Sequence, residues 1–175
     1  EFVRRERRSV VAGERAYTFC HVLVRDVAYG QIPRAMRAEK HRLAAEWISS
    51  LPRPEDRAEM LAHHYVSALE LSQAAGEESA ILSDQAQVAL QLAGDRATGL
   101  NAFAAAVRFY RRALALLPED DPERPQLLFR YGHVLNVTEG RGDAELTEAV
   151  QGLLVAGDSE LAAEAEVMLA ESAWH

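Results

Sequence analysis

Cysteine, lysine, aromatic residues, proline and glycine are all scarce in this chain of 175 residues. Cys20 is the single cysteine, so no internal disulfide can form, and nothing hints at an oxidising compartment. Lys40, in "RAEKHR" within a helical pattern, is the only lysine. A phosphate-cradling P-loop needs a glycine-rich run ending in Lys and Ser or Thr, so none can exist here. Aromatics make up 7% against 49% apolar residues overall, and alanine dominates the apolar set. With few Gly and Pro, that mix favours helices in close contact over a β-sandwich. No run of 18 apolar residues occurs, so no membrane-spanning helix is expected. The opening "EFVRRERRSVV" has no apolar signal-peptide core, and a cytoplasmic location is expected. The closing "AESAWH" stops inside a helical pattern, which suggests a segment of a longer protein.

The net charge of −8 is divided unevenly. Residues 1–53 hold 11 Lys+Arg against 6 Asp+Glu, and residues 54–175 hold 8 against 21. A basic head on an acidic body predicts two modules. In the head, "FVRRERRSVV" and "AYTFCHV" read as a β-hairpin over 1–20 with Gly13 in its turn. Helical spacing begins at His21, and Pro33 ends or restarts it. Met36, Leu43, Trp47, Ile48 and Leu51 then form one apolar stripe, so helices are expected over 21–51. From residue 54 the chain reads as helices near 55–75, 78–94, 102–117, 124–138, 144–156 and 159–174. "RATGLN" reads as a break, and Asp121-Pro122 as a cap and first turn. The expected fold is mainly α: antiparallel helix pairs stacked as a right-handed superhelix, behind a short N-terminal hairpin.

"ALQLAGDRATGLNAFAAAVRFYRRALALLP" resembles a tetratricopeptide repeat. Gly94, Ala106, Tyr110, Ala113 and Pro118 stand where that repeat places its packing residues. Gly94 and Ala106 are small so that paired helices can touch, Tyr110 fills the groove, and Ala113 admits the next helix. The aromatic expected at Ala97 is missing. A second copy carries Gly132 and, twelve residues on, Ala144. A third starts at "LAAEAEVMLAESAWH" and is cut after its first helix.

"FCHVLVRDVAYGQIPRAMRAEKHRLAAEWIS" and "AEMLAHHYVSALELSQAAG" together resemble a segment of bacterial signalling ATPases of the STAND type. The matching positions include Phe19, His21, Arg25, Asp26, Tyr29, His41, Trp47, His64 and Tyr65. The resemblance extends to proteins with a class III adenylate or guanylate cyclase domain and to LuxR- and MalT-like transcription regulators. It implies that residues 1–53 end a winged-helix-like module and that 54–175 are the repeat array. It also implies that the head docks on the nucleotide module of its parent.

The residues themselves argue against catalysis and against a cofactor. No strand-borne carboxylate pair or Cys/His ligand series is visible. His63 and His64 are adjacent and point to different helix sides, while His21 and His41 lie elsewhere. Packing or hydrogen bonding at helix contacts is the expected role of these histidines, and no metal is expected. Cys20 lacks a nucleophile context and is expected to be buried. Eight bases (Arg4, Arg5, Arg7, Arg8, Arg34, Arg37, Lys40, Arg42) raise nucleic acid as a rival. The helix after His21 is mostly apolar where a reading helix should be polar, and Asp26 repels phosphate, so nucleic acid is not expected. The expected function is regulatory binding of a protein or peptide, or of the parent's own ATPase module. The A helices would line the groove, with Gln85, Gln87, Arg130, His133 and Asn136 as candidate contacts. The alternatives are an oligomerisation scaffold, as a homo-oligomer, and a DNA-contacting head.

Overall fold

A computed structural model describes residues 2–7, 9, 11 and 13–174. Arg8, one of the eight bases, lies outside the described residues.

The hairpin is present but short. Strands β1 (Val3–Arg5) and β2 (Tyr17–Phe19) pair antiparallel with Val3 opposite Phe19 and Arg5 opposite Tyr17. Neither extends over the longer runs expected from sequence. Glu6 N donates to Ala16 O at 2.8 Å and Cys20 N to Phe2 O at 2.9 Å, closing both ends. Gly13 takes φ +83° between them, a conformation without penalty only for glycine. Cys20 is exposed, not buried as expected.

Among the described residues eight helices follow: α1 (Val22–Gly30), α2 (Arg34–Ser49), α3 (Ala58–Gln73), α4 (Ala80–Gly99), α5 (Phe103–Leu114), α6 (Arg124–Glu139), α7 (Asp143–Ala156) and α8 (Ser159–Ala173). A 3-10 turn over Pro54–Arg57 leads into α3. From α2 onward each helix packs on the next in consecutive antiparallel fashion, and α8 also touches α6. This is the expected mainly helical array. Among the described residues, no helix is long and apolar enough to cross a membrane.

Local chemistry explains the boundaries. Ser79 Oγ accepts from Leu82 N at 3.2 Å and starts α4, and Asp158 Oδ1 accepts from Leu161 N at 3.2 Å and starts α8. Helix α4 runs through the expected break at "RATGLN". Ala97 faces the core and Thr98 Oγ1 donates back to Gly94 O at 2.9 Å, so the helix holds to Gly99. The true break is at Asn101, with φ +57°, a left-handed conformation that asparagine tolerates. Asp121 Oδ1 accepts from Glu123 N at 2.8 Å, but α6 begins later, at Arg124, with Pro125 in its first turn.

The apolar faces of α3, α4 and α5 lie in the core. Ala58, Leu61, Tyr65, Ala68, Leu69 and Ser72 are buried, as are Leu82, Ala86, Ala89, Leu90 and Ala93. On α5, Ala106, Val107, Tyr110 and Ala113 are buried. Of the stripe expected on α2, only Ile48 is buried. Met36, Leu43 and Trp47 are exposed, and the buried positions are Ala38, Ala45 and Ile48. Alanine carries little hydrophobic weight, but it lets α3 approach closely.

Buried residues form two clusters. One joins α2 through α6, and the other joins α6, α7 and α8 around Leu128, Leu146 and Leu153. Leu114 packs against both. Gly94 sits beneath the Tyr110 ring, where a Cβ would fall 2.4 Å from Cε1. Gly132 stands in the same relation to Leu146, where a Cβ would fall 2.8 Å from Cγ. Ala144 does not have the packing role expected of it, because it is exposed. The offset from small residue to facing residue is 16 from Gly94 to Tyr110 but 14 from Gly132 to Leu146, so the second pair is shifted. Pro118 is exposed in the turn after α5.

Candidate interaction surface and histidine junction

The sequence of α1, "VLVRDVAYG", is apolar enough to be a core helix, yet none of its residues is buried. Val22, Leu23 and Val27 are 58%, 74% and 64% exposed. Phe2, Tyr17 and Phe19 on or beside the hairpin are exposed too, as are Met36, Leu43 and Trp47 on α2. Singly exposed apolar residues are ordinary, but a whole helix without a buried face is not. The only charges on α1, Arg25 and Asp26, pair with each other at 2.7 Å in solvent.

Several basic side chains of the head are already engaged. Arg42 is held by Glu39 at 2.7 Å and by Glu46. The Arg37 guanidinium lies 5.0 Å from the centroid of the Tyr29 ring, a cation–π arrangement. Arg34 Nη1 donates to Ala74 O at 3.4 Å. Arg4 pairs with Glu6 at 3.6 Å.

The family-signature residues divide into two groups. Phe19, His21, Arg25, Asp26 and Trp47 face solvent. Tyr29, His41 and His64 meet where α1, α2 and α3 converge, and Tyr65 lies beside them in the core. Tyr29 Oη and His41 Nε2 are 2.9 Å apart, and His41 Nδ1 and His64 Nδ1 are 2.9 Å apart. His63 joins them, its ring centroid 5.8 Å from that of His41 and 5.3 Å from that of His64. Sequence reasoning left His63 out of the set. Adjacent helical residues diverge by about 100°. However, His41 on the facing helix stands where both imidazoles can reach it. No spacing rule links position 41 to 63 and 64; only the packing register of α2 on α3 does.

Burial pushes the His64 imidazole down to about 4, with the His41 and His63 rings adding to the effect. His41 is lowered for the same reasons, burial first, then His63 and then Arg37. Above about pH 6.5 both folded and unfolded chains keep His64 neutral, and the fold is at full strength. As pH falls from 6.5 towards 4, the unfolded chain takes up a proton that the folded chain refuses, and stability is lost. At roughly 1.4 kcal/mol per pH unit the upper bound is about 3 kcal/mol. Solvent screening at this half-buried site reduces that to about 1–2 kcal/mol. Urea midpoints measured across this range in chelated buffer should fall more steeply for the parent than for His64→Asn. Equal slopes would refute the assignment.

The groove candidates lie on α4 and α6. Gln87 is a correction: it is 4% exposed and its Nε2 donates to Gln91 Oε1 at 3.3 Å, so it faces the interior. Gln85, His133 and Asn136 are half-buried. Arg130 pairs with Asp95 at 3.2 Å, joining α6 to α4. Tyr110 Oη donates to the same carboxylate at 2.8 Å. Burial and this contact raise the Tyr110 phenol well above its ordinary range, so it remains a donor at any physiological pH.

No family model and no curated protein matches this chain.

Proposed function

We propose that this chain is a non-catalytic interaction and regulatory module of a cytoplasmic bacterial signalling protein of the STAND ATPase type. Its head docks on the nucleotide-binding module of the same polypeptide, and its helical array recognises a protein or peptide. The observation that carries this reading is α1, which keeps Val22, Leu23 and Val27 in solvent although its composition is that of a buried helix. Burying three such side chains contributes about 1.5–3 kcal/mol each, enough to hold a module in place. The family resemblance supports the nucleotide module as the partner.

The test is Val22→Ser, Leu23→Ser and Val27→Ser together, in the intact polypeptide that carries this segment. These side chains touch little, so the stability of the array should change by no more than about 0.5 kcal/mol. Hydrogen exchange of α1 should be slow in the intact parent and fast in the triple variant. Exchange of α1 that is equally fast in the intact parent and in the isolated segment would sink the docking model. A dimer whose population rises with concentration, and which the triple variant abolishes, would replace it with self-association.

A further inference from the structure

We propose that His41, His63 and His64 form a binding site for a divalent transition metal of the zinc type, at the junction of α2 and α3. Each residue offers one ring nitrogen, and the three nitrogens lie within 4.8 Å of one another. Three imidazoles with no carboxylate suit Zn²⁺ and its neighbours, and not Mg²⁺ or Ca²⁺, which require oxygen. Zinc–imidazole bonds of about 2.0–2.1 Å in a tetrahedral arrangement hold ligand nitrogens about 3.3 Å apart. His41 Nδ1 and His64 Nδ1 now stand at 2.9 Å, so that pair opens by a few tenths of an ångström. His63 is exposed and completes the set by side-chain rotation, leaving the fourth position to water.

The surroundings support this geometry. A metal on His41 Nδ1 leaves the ring proton on Nε2, and Tyr29 Oη stands 2.9 Å away to accept it. Such a partner fixes the orientation of a ligating histidine. Both backbones are held by the array: Ala45 and Ile48 on α2, and Ala62 and Tyr65 on α3, are buried in one cluster. Arg37, over the Tyr29 ring, is the nearby charge that opposes the ion. Because Tyr29 belongs to α1, an ion here ties the head to the array. The proposal does not depend on what the head docks against.

The experiment is calorimetric titration of the metal-free chain with ZnCl₂, with melting temperature followed in parallel. One ion per chain is expected, with a melting temperature that rises with Zn²⁺ concentration. His63→Ala removes a solvent-facing ring, so the metal-free variant should melt with the parent but bind at least about tenfold more weakly. His41→Ala should weaken binding at least as much, and Tyr29→Phe by roughly tenfold. His21→Ala and His133→Ala should bind as the parent does. Absence of heat and of any melting shift at a roughly tenfold excess of Zn²⁺ would overturn the site. So would parental affinity in His63→Ala, or loss of binding in His21→Ala.

Discussion

Gly94→Ala is expected to destabilise the protein by about 2–3 kcal/mol, although alanine is the better helix former. The added Cβ would stand 2.4 Å from Tyr110 Cε1 and 2.6 Å from Cδ1, closer than any real contact. The ring cannot swing clear, since Tyr110 is 2% exposed and its hydroxyl is held by Asp95 at 2.8 Å. Relief must come from separating α4 and α5, and that opens the packing of Ala93, Ala97 and Ala106. Gly99 is the matched control on the same helix, because nothing lies within 4 Å of where its Cβ would be. Gly99→Ala should therefore be neutral or stabilising by up to about 1 kcal/mol. Urea denaturation of both variants checks the pair. Combining Gly94→Ala with Tyr110→Leu should cost less than the two single changes added together. Strict additivity would mean that the two side chains do not meet.

Leu146→Ala is expected to cost about 3–4 kcal/mol, and the loss should be local. Leu146 is fully buried over Gly132, where little backbone movement can refill the space. Its cluster is confined to α6, α7 and α8 apart from Leu114. In a stacked array each unit leans only on its neighbours, so damage at one end need not spread to the other. Hydrogen exchange should show α7 and α8 losing protection while the inner turns of α3 and α4 keep theirs. A uniform loss along the chain would mean that the two clusters unfold as one unit.

The helices of the array were legible because their apolar residues fall on one side at three- and four-residue steps. That holds for Leu61, Tyr65, Ala68 and Leu69, and again for Val107, Tyr110 and Leu114. On α2 the expected stripe holds only at Ile48. Met36, Leu43 and Trp47 carry more apolar surface than Ala38 and Ala45, but close approach of α3 selects small side chains. Ala144 fits the repeat spacing, but the second pair has slid relative to the first, and a spacing rule cannot sense a slide. Gln87 is expected at the groove because the A helices should line it, but its bond to Gln91 allows it to be inside. The sequence placed the histidines at helix contacts, as His41 and His64 are, but gave no sign of their junction with His63. That junction depends on how far α2 is displaced along α3, a tertiary quantity with no local trace.

The sharing of Leu114 between two otherwise separate clusters has a mechanical meaning. A stack of helices yields most readily where its core divides, and here that is at α6, whose buried residues are split between the two clusters. The Asp95–Arg130 pair ties α6 back to α4 across this boundary. Being a surface pair worth at most about 1 kcal/mol, it steadies that boundary without fixing it.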